Sequence, residues 1–141
     1  MPDQFVHLKI HTEFSLLDGI VRIKDLIKQA GADQQIALAI TDQSNMFALV
    51  KFYNACLGAG IKPILAADLY IEREDEPENP YRMTFYAQDD KGYRNLTELV
   101  SSGFTENQHH EKAQVKKEWF KEKSEGLIAM SGFQTGDIGE Q

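Results

Sequence analysis

Between Phe5 and His11 apolar and polar residues alternate, with Val6, Leu8 and Ile10 on one face and His7, Lys9 and His11 on the other. That period of two predicts a half-buried first strand over residues 4–11. A helical stripe of Ile23, Leu26, Ile27 and Ala30 follows over residues 22–32. Residues 36–40 are continuously apolar, as a parallel strand covered on both faces would be. Thr41 to Asn45 is a polar turn with capping residues. A second helix is expected over residues 46–57, with Phe47, Val50, Tyr53 and Leu57 on its apolar side and Gly58 and Gly60 as the stop signal. A third strand is expected over residues 63–71, with Pro63 at its start, where a missing N–H is tolerated.

The second half continues the alternation. Residues 72–80 hold Glu72, Glu74, Asp75, Glu76 and Glu78, broken by Pro77 and Pro80, and read as an exposed acidic loop. A fourth strand is expected over residues 83–87, and a helix over residues 93–102 opened by Asp89-Asp90-Lys91-Gly92. Residues 105–114, with His109-His110, read as a polar loop whose histidines are solvated surface rather than ligands. A lysine-rich amphipathic helix over residues 115–123 carries Trp119 and Phe120, and residues 127–130 form a fifth strand. Such alternation implies an α/β fold with a parallel sheet and right-handed crossovers.

Chemistry gathers at the first strand. His7, Lys9 and His11 share one edge and Asp18 follows, the beginnings of a metal or phosphate site. The motifs here are Phe5-Val6-His7-Leu8 with His11-Thr12-Glu13-Phe14-Ser15-Leu16-Leu17-Asp18-Gly19, then Ala39-Ile40-Thr41-Asp42 and Gly60-Ile61-Lys62-Pro63-Ile64. Gly92-Tyr93, Asn95-Leu96, Glu125-Gly126-Leu127-Ile128-Ala129 and Ser131-Gly132 complete the order. Together they resemble the N-terminal PHP (polymerase and histidinol phosphatase) domain of bacterial replicative DNA polymerase III alpha subunits, over nearly the whole chain.

The resemblance implies a distorted TIM-like β/α barrel whose mouth holds a trinuclear metal cluster in metal-competent members. Its ligand positions fall on Lys9, His11, Asp18, Gln43, Asp68, Arg82 and Phe133. Only His11 and Asp18 keep the family's ligand, and Asp68 is a shortened substitute for glutamate. Lysine and arginine are protonated at neutral pH, and phenylalanine has no donor atom. The pocket is therefore read as vestigial and metal-free, with no catalytic residue and no cofactor, because a metal needs its ligand count as well as its ligand types. Lys9 and Arg82 are expected to replace the ions, neutralising Asp18 and Asp68. All these positions except Arg82 are expected at or just after strand C-terminal ends, where α/β barrels gather functional groups.

Length and charge narrow the rest. At 141 residues, 42% hydrophobic and 26% charged, the chain has an ordinary globular composition. Eight-unit barrels need about 250 residues, so five strands read as the N-terminal part of a PHP domain whose remainder, with the polymerase region, lies elsewhere. A sheet halted there would leave edges prone to association. The net charge of −7 is the wrong sign for gripping phosphate backbones, so no direct DNA hold is expected. No apolar run spans a bilayer. Cys56, the single cysteine, suits a reducing cytoplasm and reads as a small core residue.

The resemblance implies a scaffold module of the replicative polymerase, itself a DNA-directed nucleotidyltransferase. Its partners would be the remainder of the polymerase chain and the proofreading exonuclease subunit. The alternatives are an active metal-dependent phosphoesterase or exonuclease using His11, Asp18 and Asp68, and an α/β binding protein unrelated to replication.

Overall fold

Helix α1 (Ile23–Ala32) buries Ile23, Ile27 and Ala30, one side of the predicted stripe. The four residues of β1 (Ala37–Ile40) are all buried, as their unbroken apolar run requires. Helix α2 (Leu49–Gly58) follows, then β2 (Lys62–Ile71). The computed structural model describes residues 5–132. The chain forms two compact units that divide between Ala66 and Ala67, within β2.

In the first unit β1 pairs in parallel with the start of β2, from Ala37 opposite Lys62 to Ile40 opposite Leu65. Its core joins Ile23, Ile27, Leu38, Ile40, Leu49, Phe52, Cys56 and Ile61. Burial pushes the Cys56 thiol up to about 11, which keeps it protonated and inert. The core-residue reading of Cys56 agrees with this position.

The predicted first strand is not regular. The amide of Ala39 donates to the His7 carbonyl at 3.0 Å and that of Thr41 to the Ile10 carbonyl at 2.8 Å. The two-residue step from Ala39 to Thr41, just past the end of β1, thus faces a three-residue step from His7 to Ile10, a bulge-like slip that breaks the ladder. Ile10 N turns instead to Thr41 Oγ1 at 3.2 Å. The slip also breaks the alternation, leaving Leu8 exposed beside His7 and Lys9.

Helix α2 packs on a different face from the one expected. Leu49, Phe52 and Cys56 are buried, whereas Phe47 and Val50 are 76% and 71% exposed and Tyr53 and Leu57 are also open. Both stripes are apolar, so periodicity alone could not choose between them. With Leu16, Leu17 and Ile20 also open on the loop after His11, the first unit exposes a large amount of apolar surface.

The second unit orders its strands β4-β5-β2-β3-β6, with β3 at Tyr81–Ala87, β4 at Gln108–His109, β5 at Lys112–Val115 and β6 at Leu127–Ser131. Helix α3 (Asp90–Glu106) is capped by Asp89, whose carboxylate accepts from Gly92 N at 2.8 Å. A Cβ on Gly92 would stand 1.9 Å from the Gly126 carbonyl oxygen, so only glycine allows this approach. Leu96, Leu99 and Gly103 form the buried face of α3.

The sheet is mixed rather than parallel. β5 runs parallel to β2, but β6 lies antiparallel to β3, with Met83 opposite Ser131. Its outer residues are mostly exposed, so its apolar run is that of an edge strand and not of a strand covered on both faces. The stretch read as a polar loop holds the β4–β5 hairpin, turned by His110 and Glu111 at φ 45° and 65°. The expected helix over residues 115–123 is also corrected: Val115 ends β5, and only a 3₁₀ turn at Lys117–Trp119 and the single-turn α4 (Phe120–Lys123) follow. Six strands, not five, are present among the described residues. The acidic stretch is a loop, as expected.

Candidate functional site

In the first unit the extended segment delivers His11, and the loop beyond it returns Asp18, so that His11 Nδ1 lies 2.9 Å from Asp18 Oδ1. With Asp18 ionised, the imidazole proton sits on Nδ1 and the lone pair on Nε2. His11 is mostly buried and Asp18 half exposed. The loop closes on Gly19, where a Cβ would stand 1.8 Å from the Thr12 carbonyl oxygen.

The residue that builds this corner is Asp42, which the reading of the sequence passed over in favour of its neighbour. Two residues beyond β1 and buried, it accepts from Thr12 N at 2.6 Å, Thr12 Oγ1 at 2.7 Å and Ser15 Oγ at 2.8 Å. Ser15 Oγ in turn accepts from Gln43 N at 3.0 Å. Asn45 Nδ2 donates to the Phe14 carbonyl at 3.0 Å and completes the seam. Gln43, at a predicted ligand position, directs its amide to Ser44 Oγ at 3.1 Å. Lys9 is exposed.

In the second unit Asp68 is wholly buried within β2, three residues before the strand ends rather than after it. Thr84 Oγ1 donates to its Oδ1 at 2.5 Å, and Arg82 Nη2 stands 3.7 Å from its Oδ2. Arg82 also lies over the Tyr70 ring, 6.0 Å from its centroid. Two residues apart on β3, Arg82 and Thr84 lie on the same side of the strand, so one strand supplies these two partners of the carboxylate. Tyr86 continues that row, and its hydroxyl pKa is raised by burial first and by the negative charge of Asp68 second. The pairing of Arg82 with Asp68 agrees with the expectation from the sequence. Phe133 lies outside the described residues.

The family model described as PHP domain matches residues 7–141. The chain belongs to the PHP domain family. It is 49% identical over 139 residues to the DNA polymerase III subunit alpha of Pseudomonas aeruginosa, covering 99% of this chain and 12% of that protein. The corresponding Neisseria meningitidis and Escherichia coli subunits are 44% and 40% identical, each covering 96% of this chain and 12% of the relative. This PHP chain therefore spans about an eighth of the length of these relatives.

Among solved structures, its fold is similar to that of an amidohydrolase from Chromobacterium violaceum with bound sulfate and no metal. That likeness has a TM-score of 0.53 at 18% identity and covers 69% of this chain and 32% of that one. A protein described as a metal-dependent phosphoesterase from Bifidobacterium adolescentis gives 0.54 at 20%, covering 72% and 34%. At such identities the likeness speaks for the fold alone. No helix among the described residues is long and apolar enough to cross a membrane.

The PHP fold implies bound metal, and the residues present test that. Arg82 directs a guanidinium at Asp68, and Gln43 offers only a neutral amide. A guanidinium has no lone pair for an ion and occupies the carboxylate edge that an ion would need.

Proposed function

We propose that this chain is the N-terminal part of the PHP module of a replicative DNA polymerase III alpha subunit, with its metal pocket converted to a structural one. The observation that carries the reading is Arg82 on Asp68, a fixed cation at a position where the family places a ligand. The module belongs to a partial, TIM-like β/α barrel of a cytoplasmic polymerase and serves as scaffold. Its surface meets the remainder of the polymerase chain and the proofreading exonuclease subunit. The exposed Leu16, Leu17, Ile20, Phe47 and Val50 support this, since apolar surface on that scale marks sites of packing. The acidic balance supports a protein-facing role over a DNA-gripping one.

One observation favours the other reading, a metal-dependent phosphoesterase or exonuclease. His11 Nδ1 is hydrogen-bonded to the Asp18 carboxylate, the orienting contact that metal-bound histidines commonly make. The two readings part in a hydrolysis assay. No turnover of phosphomonoester, single-stranded or duplex DNA substrates is expected at the family pocket with magnesium, manganese or zinc, because too few of its ligands remain there to hold an ion that activates water. Metal-dependent turnover that survives rigorous purification and disappears in His11→Ala would refute the scaffold reading.

A further inference from the structure

Two stretches that look bland in the sequence meet in the second unit. The acidic loop before β3 is fastened to the β4–β5 hairpin on both sides of Glu78. Gln114 Nε2 donates to the Pro77 carbonyl at 2.8 Å, and Lys112 Nζ to the Glu78 carbonyl at 3.0 Å. Further back, Asn107 Nδ2 reaches Glu72 Oε1 at 3.1 Å. Glu78 is thereby held against His109 and His110, and one ligand atom from each of the three lies within 4.8 Å of the others.

We propose that Glu78, His109 and His110 form a binding site for a divalent transition metal ion of the zinc class, with water as the fourth ligand. His110 Nε2 and Glu78 Oε1 are 3.4 Å apart. A charge-assisted hydrogen bond would draw them to about 2.8 Å. Two ligands about 2.05 Å from a shared tetrahedral ion stand about 3.3 Å apart. The separation therefore matches an edge of a coordination tetrahedron better than it matches a direct bond. The two imidazole rings meet edge to face, with centroids 4.3 Å apart and planes at 89°, so they present their nitrogens from different directions. Two imidazoles with one carboxylate are also the donor set that zinc accepts.

The backbone gives a second reason. A two-residue turn with both φ values positive is ordinarily built from Asn-Gly or Asp-Gly. Here His110 and Glu111 adopt it at φ 45° and 65°. Non-glycine residues held in that region cost stability and cluster where a side chain has a task. The turn tilts the His110 ring back towards Glu78 of the docked loop. Because hydrogen bonds already hold that loop, the ion meets a largely assembled site and little ordering is left to oppose binding. Asp75 and Glu76 of this loop pair with Arg73, so the negative charge that meets the ion is chiefly that of Glu78.

Cobalt(II) serves as the probe because its visible absorption reports tetrahedral coordination. The metal-stripped chain is expected to take up one equivalent with a tetrahedral spectrum, and zinc should displace it. His110→Asn suits the positive φ of the turn and removes the imidazole, while Glu78→Gln keeps the shape and removes the charge. Each should weaken cobalt binding at least tenfold with the far-ultraviolet circular dichroism unchanged, and His109→Gln should do the same. The proposal is overturned if no stoichiometric cobalt binds, or if the spectrum and affinity persist in His110→Asn and Glu78→Gln. Binding lost in His11→Ala but kept in those variants would overturn it and the metal-free reading of the family pocket together.

Discussion

Asp42→Ala should destabilise the first unit by about 3–5 kcal/mol, the largest effect expected of any single substitution at the site. The carboxylate is buried and receives the Thr12 amide, the Thr12 hydroxyl and the Ser15 hydroxyl. A hydrogen bond to a charged group contributes about 1.5–3 kcal/mol, and a buried donor left without an acceptor costs a similar amount. The three do not simply add, because the two hydroxyls can turn towards other acceptors while the Thr12 amide cannot. Against a total of about 5–15 kcal/mol for a domain, such a loss leaves little margin. Urea unfolding should show a lower midpoint with an unchanged slope. Asp42→Asn keeps one acceptor oxygen and should cost about 1–2 kcal/mol. If Asp42→Ala unfolds within about half a kcal/mol of the parent, the carboxylate is not what holds this corner.

Arg82→Ala should cost about 2–3 kcal/mol. The loss comes less from the missing contact than from removing the Arg82 guanidinium beside the Asp68 charge, which stays in a wholly buried position. Breaking a fully buried pair costs about 3–5 kcal/mol. Arg82 is 30% exposed and 3.7 Å away, which places this pair below that range. The sharper test is the double-mutant cycle. Asp68→Asn in the Arg82→Ala background should recover most of the loss, since the buried charge is then gone, giving a coupling above about 1 kcal/mol between the sites. Singles that add to the double within about 0.3 kcal/mol would show that Arg82 does not serve Asp68. Lys9→Ala, by contrast, acts on an exposed side chain and should stay within about half a kcal/mol.

What could be read from the sequence was what local pattern controls. β1, β2, β3, α1 and α3 lie where their apolar runs, caps and stops put them, since each signal sits within the element it defines. The errors came where a distant partner decides. On α2 the stripes Leu49-Phe52-Cys56 and Phe47-Val50-Leu57 are equally apolar, and only the α1 and β1 side chains select the first. The direction of β6 is set by its pairing with β3, some forty residues earlier, and its four apolar residues fit either direction. The β4–β5 hairpin has a two-residue strand and a His-Glu turn, without the Asn-Gly or Asp-Gly that would have announced it.

The site divides in the same way. Arg82 opposite Asp68 was legible because two charges at pocket positions of opposite sign need each other. Asp42 was not, since its partners Thr12 and Ser15 lie 30 and 27 residues away and are ordinary loop residues in isolation. The available signal was an aspartate two residues after a fully apolar strand, with a Thr-x-x-Ser hydroxyl pair after the preceding extended segment. The slip between Leu8 and Lys9 carried no signal at all, because it follows from how Thr41 Oγ1 takes the Ile10 amide.

The Tyr86 phenol, buried one pleat along from Thr84, gives the second unit an internal optical gauge. Ionised tyrosine absorbs where the neutral ring does not, so an alkaline absorbance titration reads the electrostatic potential at that one hydroxyl. The Asp68 charge holds its ionisation above the usual tyrosine range in addition to the effect of burial. Neutralising that charge in Asp68→Asn should therefore move the late-titrating tyrosine towards lower pH. The electrical state of the arginine–aspartate pair can thus be followed in solution, in the intact fold and without a label, through a residue that belongs to neither partner.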